Sequence, residues 1–152
     1  MPEHRPAHDL ISEFLAPVAD ADLVMAVSQD AFSDTVEALI ADDGETLFEV
    51  PSGGFVGDMA GPWVGPEGYL AGWTEWLSSW DEFRVQTDQL LDCGNGHILQ
   101  LATTRARPKG SPSVLEQRAG ALYHVVKGQI VRIEHFLDEA QARQAAGLED
   151  AE

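Results

Sequence analysis

The chain has 152 residues, one cysteine and a formal charge of −17, with 26 acidic residues against two lysines and seven arginines. A domain of this size buries about two-thirds of the surface its unfolded chain exposes, so a single domain needs neither a disulfide nor a metal to fold. A surface so negative repels phosphate backbones and anionic lipid, which argues against nucleic-acid binding and membrane docking.

Residues 1–11 read as a flexible N-terminal arm, with two prolines and two histidines in the first eight positions and no periodicity. The opening MPEHRPAHDL has neither the basic start nor the apolar core of a secretion signal, and no apolar run reaches membrane-spanning length, so a cytoplasmic location is expected. A single domain is expected over 12–148, followed by a disordered tail at 149–152.

From Ser12 to Ala41 the pattern is helical, with Leu23, Ala26, Val27 and Ala31 at three- and four-residue spacing. Asp20 or Asp22 is the candidate cap. Ser33 or Asp34 opens a second short helix carrying Val36, Leu39 and Ile40, which Asp42-Asp43-Gly44 is expected to end. Thr46–Val50 reads as a short strand stopped by Pro51. Ser52–Gly68 then holds six glycines and two prolines, too many for a regular element. A loop this long is a candidate lid or pocket rim, with Asp58 a turn former or a carboxylate at the mouth.

Pro66 or Glu67 opens the next helix, on which Tyr69, Leu70, Trp73, Trp76, Leu77 and Trp80 recur at helical spacing. The period then changes. Phe83–Asp92, His97–Arg107, Val114–Val126 and Gln129–Leu137 read as strands, joined by turns at Gly94-Asn95-Gly96, Pro108–Pro112 and Lys127-Gly128. Asp138 caps a final helix that Gly147 ends. Helices, strand, helix and four meandering strands define an α+β fold: a curved, mainly antiparallel sheet wrapped around helices on its concave side. With no helix left over for the convex side, a homodimer through that sheet face is expected.

Three segments carry a family resemblance: DTVEALIADDGETLFEVP (Asp34–Pro51), GPWVGPEGYLAGW (Gly61–Trp73) and KGQIVRIEHFLDEAQARQAAGL (Lys127–Leu148). The chain resembles the nuclear transport factor 2-like (ketosteroid isomerase-like) superfamily, and its SnoaL-like branch in particular. The resemblance implies a cystatin-like cone with a pocket, and it allows chemistry at particular places to be compared. The isomerases of the superfamily place a carboxylate base just before the proline that ends the first strand; here that residue is Val50. Their oxyanion-hole Tyr and buried Asp, the latter a standard example of a carboxyl kept neutral by its surroundings, fall on Ala26 and, counting from the turn at Gly128, on Gly120. The cyclase acid/base Asp falls on Leu137. The resemblance therefore implies the cone without that acid–base set.

Strand alternation nominates other residues. If Ile133 and Leu137 face the cone, His135 does too. By the superfamily's geometry the pocket face of the preceding strand holds Glu116, Arg118, Gly120, Leu122 and His124, and that of the strand before it Ile98, Gln100, Ala102 and Thr104. His135 is the candidate general base or a hydrogen-bonded core histidine. Arg118 is a candidate to hold a substrate oxyanion, or with Glu116 to form an ion pair. Tyr69 and Trp73 are candidates for an aromatic wall, with Gln100, Leu122, Ile133 and Leu137 as further lining. His97 and His124 lie on adjacent strands but lack a third ligand, so no metal site is expected. Cys93 reads as a structural thiol.

Three functions remain open. One is a cofactor-independent isomerase, cyclase, dehydratase or hydrolase acting on a small apolar substrate by general acid–base chemistry. The second is a non-catalytic module binding a small apolar or aromatic ligand, and the third a structural dimer with a filled cone.

Overall fold

A computed structural model describes residues 7–16, 22–28, 33–49, 63–136 and 138–147. Three short helices come first, α1 (Ala7–Leu15), α2 (Leu23–Ser28) and α3 (Ser33–Leu39). The strand β1 (Ile40–Glu49) and the two-residue β2 (Trp63–Val64) follow, then α4 (Gly65–Leu77). Four long strands, β3 (Trp80–Gly94), β4 (His97–Pro108), β5 (Leu115–Val126) and β6 (Gln129–Phe136), lead to α5 (Glu139–Ala145). The six strands form one sheet in the order β2-β1-β6-β5-β4-β3, antiparallel except where β1 lies parallel to β6.

The expected arm at 1–11 overlaps a described helix, and its residues 1–6 lie outside the described residues. Residues 7–11 are the first turns of α1, and Leu10, Ile11 and Phe14 sit in the core beside Tyr69, Tyr123 and Ile133. A three- and four-residue apolar spacing in a single short helix is easily lost behind a proline-rich start. The second helix also ends earlier, at Leu39, and Asp42-Asp43-Gly44 lie inside β1 rather than in a helix stop. Gly44 packs where a Cβ would come within 2.9 Å of the Ile130 carbonyl oxygen, so its role is close strand approach. Trp80 keeps the helical spacing of Trp73 and Trp76, yet a turn at Ser78-Ser79 places it at the start of β3.

Other local signals hold. Asp22 caps α2, its Oδ1 accepting from the Val24 amide and also from the Phe83 amide on β3, each at 3.1 Å. Pro66 opens α4, and Asp138 caps α5 by accepting from the Ala140 amide at 3.0 Å. Asn95-Gly96 and Lys127-Gly128 both adopt positive φ at two successive residues, the turn whose twist matches right-handed strands.

The helices α1, α3 and α4 close over the concave face, where Ile98, Ala121, Tyr123, Ile130 and Ile133 join their apolar sides in the main core. Leu23, Trp76, Leu77, Phe83 and Ala106 form a second cluster at the β3 edge. The convex face, expected to have no helix, is partly covered by α5. Ala142 of α5 is buried against Leu99, Leu101 and Leu122 on that side. Gly120 lies directly beneath, where a Cβ would stand 2.7 Å from that of Ala142. No described helix is long and apolar enough to cross a membrane.

Candidate functional site on the concave face

The register of β5 against β6 decides which side chains share the cone. Near the turn the pairing is that of a regular two-residue hairpin, Val126 with Gln129 and Val125 with Ile130. The next pair is His124 with Arg132, so Val131 is an extra residue opposite nothing, a β-bulge. Beyond it Tyr123 faces Ile133 and Ala121 faces His135. A one-residue slip exchanges the two faces of a strand. Unbroken alternation pairs Leu122 with Ile133 and Gly120 with His135; the bulge moves that set to the other side.

His135 and Ile133 thus lie on the concave face with Ala121 and Tyr123 of β5 and with Ile98, Gln100 and Ala102 of β4. Glu116, Arg118 and Leu122, expected in the cone, lie on the convex face. Leu122 is core under α5. The Arg118 guanidinium reaches the Glu139 carboxylate at 3.1 Å with 61% of its side chain exposed, and Glu116 accepts from Arg105 at 3.1 Å. Gly120, the position compared with the isomerase Asp, is also convex; its concave neighbours Ala119 and Ala121 carry no carboxyl group either. Leu137, Val50 and Asp58 lie outside the described residues.

The helix α4 supplies the opposing wall. Tyr69 and Trp73, four residues apart, fall on the same helical face. The Trp73 ring meets the His135 ring edge to face at 5.1 Å, and Tyr69 stands 6.5 Å from each of them. Phe14 of α1 packs against both Tyr69 (5.5 Å) and Tyr123 (6.1 Å).

Two polar features run through this apolar lining. Tyr123 donates its hydroxyl to Gln100 Oε1 at 2.9 Å, and Gln100 Nε2 donates to Thr87 Oγ1 at 2.8 Å. Gln100, only 5% exposed, is therefore occupied on both ends of its amide by protein groups. Burial holds both tyrosines protonated far into alkali, with the nearby Tyr69 adding to the effect on Tyr123. His135 buries its Nε2 atom, and burial pushes its pKa down from 6.5 to about 3. The imidazole is accordingly neutral at physiological pH, able to donate from one nitrogen and accept at the other.

Phe14, Tyr123 and Thr87 belong to the site without having been nominated by sequence. Tyr123 carried the strongest available signal, a bulky residue with a hydroxyl directly after the apolar run Ala119–Leu122 of β5. On the convex face His97 and His124 are directly opposite, with ring centroids 4.1 Å apart. Among the described residues no group of three potential metal ligands forms. The Cys93 thiol is raised above its ordinary pKa, chiefly by burial.

A curved sheet closed by helices around an apolar, aromatic face defines the class of small α+β cone proteins. The model of the SnoaL-like domain matches residues 19–133, and the chain belongs to that family. No curated protein matches the sequence. Among solved structures, TerC co-crystallised with polyporic acid superposes with a TM-score of 0.68 at 12% identity, covering 93% of this chain and 98% of its own. A nuclear transport factor 2-like protein from Burkholderia thailandensis E264 has a TM-score of 0.68 at 20% identity, with 93% and 97% covered. A protein of Jannaschia sp. CCS1 classed as a SnoaL-like polyketide cyclase has a TM-score of 0.64 at 13% identity, with 96% of each chain covered. These likenesses establish the fold.

Proposed function

We propose that the concave face binds a small, flat, mostly apolar molecule between α4 and the sheet, with Trp73 and Tyr69 as wall and His135 as the polar contact. The observation that carries this reading is the meeting of Trp73 and His135 at 5.1 Å, on the side of the sheet the helices cover. Flat aromatic faces offer large contact area to a planar ligand, and few polar groups on an apolar face are the usual makeup of a small-molecule site. That a protein of this fold crystallised with polyporic acid supports a small-molecule ligand.

A second reading, cofactor-independent acid–base catalysis of isomerisation, cyclisation, dehydration or hydrolysis with His135 as base, ranks behind binding. A pKa of about 3 makes protonation of His135 at pH 7 uphill by roughly 5 kcal/mol, far from the match to working pH that efficient proton transfer favours. Arg118 and Glu116 serve neither reading from the convex side.

For assembly we propose a homodimer through the part of the convex face that α5 leaves open, where Val126 is half-exposed and the arginines are already paired with carboxylates. Light scattering reading twice 16.5 kDa supports it, and a monomer overturns it.

The ligand site is tested by titrating isotope-labelled protein with one-, two- and three-ring planar compounds. Binding at this face shifts the Trp73 indole, Tyr69 and Ala121 resonances and spares Leu122 and Arg118. Shifts confined to the convex set, or none with any compound, overturn the reading.

A further inference from the structure

We infer that the concave face selects uncharged planar molecules carrying a hydrogen-bond-accepting oxygen, and refuses carboxylates and other anions. This rests on the ligand-binding reading above and names the ligand class.

The argument begins with where the cations are. Residues 6–83 contain sixteen Asp and Glu and not one Lys or Arg. That span includes α1 to α4, β1 and β2, so none of these elements brings a cation to the cone. The basic residues begin at Arg84, and the register turns them away. Arg84 pairs with Arg105, Arg118 with Thr103 and Arg132 with His124, all on the face opposite His135. Arg105, Arg107, Arg118 and Arg132 are engaged there with carboxylates. Among the described residues the concave face holds no Lys or Arg.

An anion entering this face would be desolvated with no countercharge, inside a chain of net charge −17. An uncharged ligand oxygen meets donors instead. The Tyr69 hydroxyl, which burial keeps protonated, carries one proton to donate. Tyr69 and neutral His135, 6.5 Å apart by ring centroid, thus frame a place for one carbonyl or ether oxygen. Gln100 does not compete, since Tyr123 and Thr87 occupy it.

Matched planar probes test this: 2-acetylnaphthalene, 2-naphthoate and 2-naphthylmethylammonium, with one- and three-ring counterparts, each followed by calorimetry at pH 7.5 on the full chain. The ketone is expected to bind about 100-fold or more tightly than the carboxylate. Tyr69→Phe is expected to weaken the ketone about tenfold more than it weakens naphthalene. Ketone and carboxylate within tenfold of each other, or either charged probe binding more tightly, overturns the selection for uncharged ligands while leaving the binding site standing. Equal losses for ketone and naphthalene in Tyr69→Phe overturn the donor role of Tyr69. If no probe of any ring size binds, the ligand-binding reading fails and this inference with it.

Discussion

Replacing Gln100 by Leu keeps the volume and removes a polar relay from the floor of the cone. Gln100 is 5% and Tyr123 1% exposed, and they share a 2.9 Å hydrogen bond, while a second bond of 2.8 Å runs on to Thr87. The change deletes one buried and one part-buried bond and strands the Tyr123 hydroxyl, for a total of about 2–4 kcal/mol. In a chain of this length that lowers the melting temperature by about 6–12 °C. Tyr123→Phe removes the donor itself and costs about 1 kcal/mol. In the double variant nothing is stranded, so the two losses fall short of additivity by about 1–2 kcal/mol. Urea unfolding followed by circular dichroism and tryptophan fluorescence reads all three values, provided the slope with denaturant stays constant. A Gln100→Leu loss under about 0.5 kcal/mol, or simple additivity, refutes the relay.

The folded pKa of His135, about 3, lies below the 6.5 of an unfolded histidine, so the unfolded chain takes a proton the native protein declines. Its stabilising share is intact above pH 6.5 and lost as pH falls toward 3, so wild type loses stability relative to His135→Asn between pH 6.5 and 4, as urea midpoints at each pH read; parallel profiles contradict the burial. Arg118→Ala changes stability by less than about 0.5 kcal/mol and leaves probe affinity within twofold of wild type, because its ion pair is exposed and on the far face; a tenfold affinity loss places it in the site after all. Gly120→Ala costs about 1–3 kcal/mol by calorimetry, since its Cβ lies 2.7 Å from that of Ala142 and 2.9 Å from the Gln100 carbonyl oxygen; a neutral change means α5 is not seated there.

The order of elements was legible because turns and caps have local chemistry. Lys127-Gly128, Asn95-Gly96, Pro66 and Asp138 each act on the residues beside them, and each is where its residue type predicts. The wall formed by Tyr69 and Trp73 follows from helical spacing, and His135 and Ile133 face the cone as strand alternation expects. Which residues join them on β5 was not legible. The bulge at Val131 adds one ordinary β-branched residue to an ordinary strand, with no compositional mark, and that residue moves Glu116, Arg118 and Leu122 to the convex side. Alternation is reliable within a strand and carries no information across an unseen irregularity. The Tyr123–Gln100–Thr87 relay depends on the register of three strands at once, which periodicity does not supply. The core position of α1 was lost for the opposite reason: its signal is local but spans nine residues.

The whole account turns on the register beyond that bulge, and proton–proton contacts of the His135 ring measure it directly. A nuclear Overhauser spectrum is expected to connect the ring protons of His135 with the Ala121 methyl group and the Trp73 indole. Contacts from His135 to the Leu122 methyl groups or to α5 would put the ring on the convex face and contradict the site.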